Sequence, residues 1–93
     1  MTSKESPQKE KNEEQEHRSK RDRFLILHND DYHTFDYVIS ALIDICDHDV
    51  LQAEQCTLMV HYKGKCDVKN GSLSYLRPMK NALVQKELKA TID

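Results

Sequence analysis

Glycine and proline occur only twice each in this chain of 93 residues, cysteine three times and tryptophan not at all. With only Gly64 and Gly71 available, no glycine-shaped nucleophile turn or oxyanion hole can be assembled around a Ser or Cys. The cysteines, Cys46, Cys56 and Cys66, are odd in number, evenly spaced and without a CxxC pair, which excludes a disulfide framework and points to a reducing, cytoplasmic setting. No apolar run approaches the roughly 20 residues of a membrane span, and no signal-peptide core precedes the domain. An excess of positive charge is missing too, since 14 basic against 16 acidic side chains net -2, so there is no electrostatic footprint for nucleic acid.

What is present is unevenly distributed. Of the first twenty residues only Met1 is apolar, and five basic and five acidic groups balance there. Residues 1–20 therefore read as a disordered extension, and residues 21–93 as the folded core. About 70 residues bury only about 60% of their unfolded surface, too little for a large enzyme with its own nucleotide fold.

Within the core, Arg23 to Leu27 is a short apolar run that reads as a strand. The polar stretch from His28 to Thr34 reads as a loop, with Thr34 capping a helix whose apolar positions Phe35, Val38, Ile39, Leu42, Ile43 and Cys46 share one face. Asp49 with Gln52 resembles a capping box and opens a second helix that closes near Gly64; it reads as almost apolar around its middle, hence central. Lys65 to Lys69 alternates as a half-buried strand, Asn70-Gly71 reads as a turn, and a third helix starts from Ser72 with Pro78 expected to kink it or shift its start. Leu88 to Ile92 closes the chain as a strand. The order β-α-α-β-α-β predicts a small α+β domain with helices packed on one side of a roughly three-stranded sheet.

Three constellations could carry chemistry. His28, His33 and His61 with Asp30 and Asp31 invite a metal-dependent or hydrolytic reading, but no helical His pair or Cys/His cluster has zinc-ligand spacing. The third reading is a binding site. Asn29 and Asp30 follow a strand end, and His61 lies on the second helix, so packing that helix on the strand end would gather an amide oxygen, a carboxylate and an imidazole nitrogen. Those three acceptors match the three donors of an ammonium. Equally, Asn29-Asp30-Asp31 can simply turn the chain, and His61 can be a satisfied core histidine.

The run LILHNDDYHTFDYVISAL, followed by LMVHYKGKC, resembles the ClpS family, adaptors of the ATP-dependent Clp protease. Two motifs at matching separation carry the resemblance, Asn29-Asp30-Asp31-Tyr32 and Val60-His61-Tyr62-Lys63-Gly64-Lys65, and it extends from Arg23 to Ile92. It implies a bacterial, monomeric adaptor without catalytic residues, cofactor or metal. Such an adaptor binds proteins whose first residue is bulky and hydrophobic (N-degrons) and delivers them to a ClpA- or ClpC-like AAA+ unfoldase. By resemblance, Asn29, Asp30 and His61 hold the free α-amino group with Asp31 adding charge, while Phe35, Val38, Thr57, Val60 and Leu88 line a hydrophobic pocket. The tail before Arg21 would be the arm engaged by the unfoldase, with an extended reach of at most roughly 70 Å.

The chain departs from the family pattern in three places. His33-Thr34-Phe35 stands where Thr-Pro-Met is common, Thr57 stands where Met is common, and the segment from Asn70 to Glu87 is shorter. The first two bear on which side chains the pocket takes, the third on docking to the unfoldase. Besides the adaptor, the residues leave open a generic interaction module that keeps the fold without binding N-termini, and a small metal-dependent hydrolase.

Overall fold

A computed structural model describes residues 22–93; the tail at 1–20 and its expected role lie outside the described residues. Strand β1 (Arg23–His28) is the middle of a three-stranded antiparallel sheet of order β2-β1-β3. Helices α1 (Phe35–Cys46) and α2 (Val50–Lys63) separate it from β2 (Lys65–Gly71), and α3 (Leu73–Gln85) separates β2 from β3 (Lys89–Ile92). The element order and strand number are those expected from the sequence.

Leu25 and Leu27 of β1 point into the core with Leu42, Cys46, Leu76 and Leu83 from the helices, all essentially inaccessible to solvent. Ile26, on the alternate face, is buried but stands outside that cluster, so the core lies on one side of the sheet. Capping follows the sequence signals. Thr34, Asp49 and Ser72 accept hydrogen bonds from the backbone N–H groups of Tyr37, Gln52 and Tyr75. At the other end of α1, the Lys69 ammonium donates to the Cys46 carbonyl at 2.9 Å, where the helix dipole favours positive charge.

The β1–β2 register skips one residue, Val68, between the pairs Leu25–Lys69 and Ile26–Asp67. Its carbonyl accepts instead from Nε2 of buried His48 at 2.7 Å, which ties the α1–α2 connection to this bulge; Nδ1 of His48 has no protein partner.

Two expectations are corrected. First, α2 is not apolar all round: only Ala53, Thr57 and Val60 are buried, while Leu51, Leu58, Met59 and Tyr62 face outward. The many apolar residues concealed a narrow buried stripe of small side chains. Second, Asn70-Gly71 does not form a hairpin turn but stays in β2, opposite Phe24 and Arg23, because the next element is a helix starting at Ser72. Pro78 lies inside α3, which still starts directly after Ser72. The carbonyl that Pro78 leaves without an amide is that of Ser74, in the exposed first turn, where water can satisfy it.

Candidate functional site

Where β1 ends, the chain is fastened to the end of α2. The backbone N–H of Asn29 donates to the carbonyl of Gly64 at 2.9 Å, and Gly64 closes α2 through its own N–H to Val60. Gly64 has φ +94°, a conformation that L side chains rarely adopt, although a Cβ there would meet no other atom. Backbone conformation alone therefore demands the glycine. Because His61 sits in the last turn of α2, this junction sets Asn29 beside the imidazole, and both line one pocket.

The loop after Asn29 folds around Asp30. Its Oδ1 accepts from the backbone N–H groups of Tyr32 at 2.8 Å and His33 at 2.9 Å. Nδ1 of His33 lies 3.0 Å from Oδ2 and 3.2 Å from Oδ1. Burial pushes the Asp30 carboxyl upward, but the His33 amide and imidazole and the Tyr32 amide outweigh it, so the group stays below the usual carboxylate value and ionised. An ionised carboxylate only accepts, so Nδ1 of His33 carries the hydrogen.

The other end of the pocket is apolar. Leu27 comes from β1, Val38 from α1, Thr57 and Val60 from α2, and Leu88 from the connection between α3 and β3. The Thr57 hydroxyl donates to the Ala53 carbonyl at 2.7 Å within its own helix, leaving the methyl to add apolar surface. Phe35 also lines the pocket, its ring and that of His61 in a T-shaped contact at a centroid distance of 5.2 Å. The cavity, partly open to solvent, is about 40 Å³, room for a few waters, and half-exposed Phe35 is part of its lining.

Of the site residues expected from sequence, Asn29, Asp30, Phe35, Val38, Thr57, Val60, His61 and Leu88 converge on this pocket. Asp31 does not line it; it is exposed on the loop beside Asp30. His33, His28 and Leu27 line the pocket as well, and of these His33 is the most informative. Its three-residue spacing from Asp30 was visible in the sequence, but a contact within a loop has no periodicity to announce it.

His28 reaches Thr91 through Nε2 at 2.7 Å, His33 reaches Asp30, and among the described residues no three His, Cys, Asp or Glu side chains converge on a metal position. Burial pushes the Cys46 thiol up to about 11, and burial with neighbouring Cys56 and Asp67 pushes that of Cys66 up to about 12, so both stay protonated and poorly nucleophilic. Among the described residues, no helix is long and apolar enough to cross a membrane.

The chain is similar to known proteins in both sequence and fold. The chain is 46% identical over 41 residues to the ATP-dependent Clp protease adapter protein ClpS of Edwardsiella ictaluri, covering 44% of this chain and 39% of that protein. It is 48% identical over 40 residues to the adapter of the same name from Oleidesulfovibrio alaskensis, covering 43% and 38%. The matched stretch thus spans about two fifths of the length of these curated relatives. The fold is similar to that of Agrobacterium tumefaciens ClpS2, solved bound to L-phenylalaninamide, with TM-score 0.73 and 19% identity over 78% of this chain and 95% of that one. The family model for the ATP-dependent Clp protease adaptor protein ClpS matches residues 18–91. Together with the strand-end loop and the His61 helix meeting at one pocket, that match over most of the chain places the protein in the ClpS family, a family of adaptors and not of enzymes.

Proposed function

We propose that this protein binds the first residue of polypeptides that begin with a bulky hydrophobic amino acid and delivers them to a ClpA- or ClpC-like AAA+ unfoldase. The observation that carries the reading is a pocket with one end of acceptors, Asn29, Asp30 and His61, and the other end of hydrocarbon, Val38, Val60 and Leu88. A free N-terminal residue has the complementary form, an ammonium and a side chain on one carbon. Burying a Leu or Phe side chain contributes about 1.5–3 kcal/mol, and hydrogen bonds to a charged group contribute a similar amount. An internal Leu brings no ammonium and leaves the acceptors without donors, so discrimination comes largely from the penalty on wrong ligands.

In this reading Asn29, Asp30 and His61 accept from the ammonium, and Asp31 adds negative charge from the loop. Asp30 contributes mainly charge and the remaining lone pair of Oδ2, since its other acceptor positions already serve Tyr32 and His33. Residues 1–20, with balanced charge and a single apolar side chain, form the handle offered to the unfoldase. The protein acts as a monomer in the bacterial cytoplasm, where its three free thiols persist.

Fluorescence anisotropy with a peptide beginning in Phe, and with the same peptide Nα-acetylated, tests the binding half. Binding of the free amine with loss of at least roughly tenfold on acetylation is expected. Equal affinity for both peptides would sink the reading. A peptide beginning in Leu against one beginning in Ala tests the apolar end in the same assay.

A further inference from the structure

We infer that His33 is a positioning residue for the amine-binding loop, clasping the Asp30 carboxylate so that its charge faces the pocket before any ligand arrives. The inference rests on the reading of the pocket as an amine site and adds to it a residue on which recognition depends.

The clasp is built from contacts on both sides of the imidazole. On one side, Nδ1 donates to Asp30, and the side chains of His33 and Asp30 are only 9% and 14% exposed. On the other, the imidazole stacks on the ring of Tyr37, in the first turn of α1, at a centroid distance of 4.7 Å and an interplanar angle of 18°. Tyr37 is itself anchored, since its hydroxyl donates to the Lys86 carbonyl at 2.9 Å and the Lys86 ammonium lies over its ring. Lys86 stands two residues before Leu88, which lines the apolar end. One series of contacts therefore runs from the Asp30 carboxylate through His33 and Tyr37 to the segment that carries the opposite wall.

The physical consequence is preorganisation. A carboxylate in a flexible loop must be ordered as it binds, and that cost is subtracted from affinity. Held by two amides and an imidazole, Asp30 has already been ordered by folding. Asn at position 33 can place an amide N–H near where Nδ1 stands, whereas Leu fills similar space with no donor.

The test uses the full chain, as wild type, His33→Leu and His33→Asn, against Phe-initiated peptides with free and acetylated amines. NMR titration of the Asp30 carboxyl is measured on the same proteins without peptide. His33→Leu is expected to weaken binding of the free-amine peptide roughly tenfold, as loss of a hydrogen bond to a charged group does, and to raise the Asp30 titration midpoint. His33→Asn is expected to recover most of the affinity and to return the midpoint toward the wild-type value. Circular dichroism melting of both variants checks that the fold persists; should His33→Leu fail to fold, His33→Gln, whose amide is placed for Nε2 and not Nδ1, takes its part. Wild-type affinity in His33→Leu, an unmoved Asp30 midpoint, or no recovery in His33→Asn overturns the clasp. Failure of the amine reading itself shows separately, as wild type that does not distinguish free from acetylated peptide.

Discussion

At its polar end the pocket is defined by hydrogen bonds with fixed geometry. Asn29 is fastened to Gly64, Asp30 accepts from two amides and His33, and the loop runs directly into the Thr34 cap of α1. At its apolar end it is defined only by packing, with Val38, Thr57, Val60 and Leu88 contributed by three parts of the fold and Phe35 half exposed. Directional bonds tolerate little displacement, whereas apolar contact is close to proportional to area and can be rearranged by rotating a side chain. The polar end should therefore decide whether a ligand binds, and the apolar end which ligand binds best.

Removing charge from the polar end without removing its shape should have the largest effect. Asp30→Asn keeps an oxygen for the Tyr32 and His33 amides but leaves the ammonium without a carboxylate. A loss of roughly 10- to 100-fold for free-amine peptides, with little change for acetylated ones, is expected in anisotropy titrations. The same variant has a signature in stability. Asp30 has a folded-state pKa below its ordinary value, so the stability it contributes is fully present above the unfolded carboxyl value and is lost as pH falls through the lower folded one. The stability gap between wild type and Asp30→Asn should thus narrow as pH drops from about 5 to about 2, measured by denaturant unfolding at each pH. A constant gap would mean that His33 and the two amides do not favour the ionised form.

A smaller effect is expected where the two ends are joined. Gly64→Ala meets no atom but forces φ +94° on a residue with a Cβ, at a cost of roughly 1–2 kcal/mol. Melting should fall by about 4–8 °C per kcal/mol for a domain of this size, and peptide affinity should weaken through the displaced Asn29. Unchanged affinity with lowered stability would show that the Asn29–Gly64 bond does not position the site.

The smallest change belongs to the apolar end. Phe35→Ala opens the mouth against which His61 packs, and a panel of peptides differing in the first residue should shift toward larger side chains by roughly three- to tenfold relative to Leu. An unaltered ranking would contradict the assignment of Phe35 as the gate and favour a module that keeps the fold without reading side-chain size.

Much of this was legible in the residues because it is local. Thr34, Asp49, Ser72 and Gly64 mark helix ends through contacts within a few positions, and the spacing of Phe35, Val38, Leu42 and Cys46 marks a helical face. The site residues were legible for a different reason, the resemblance of two motifs to one family; composition and spacing left His61 equally readable as a core histidine. What was misread depended on distant partners. Asn70-Gly71 has the chemistry of a turn, yet β1 lies beside it and extends the ladder to Arg23. The apolar residues of α2 suggested a central helix, but its neighbours fully bury only the Ala53, Thr57 and Val60 stripe.

By itself, then, the sequence determined the elements, their order, their caps and the inventory of a pocket with acceptors at one end and hydrocarbon at the other, since each follows from neighbours along the chain or from a recognisable motif. The tertiary structure alone decided that Asp30 lines the pocket while Asp31 is left on the exposed loop, that His33 lies against Asp30, and that Phe35 stands against His61. Those outcomes depend on which surfaces meet when α2 closes against the end of β1, and a hydrogen-bond partner is chosen by distance in space.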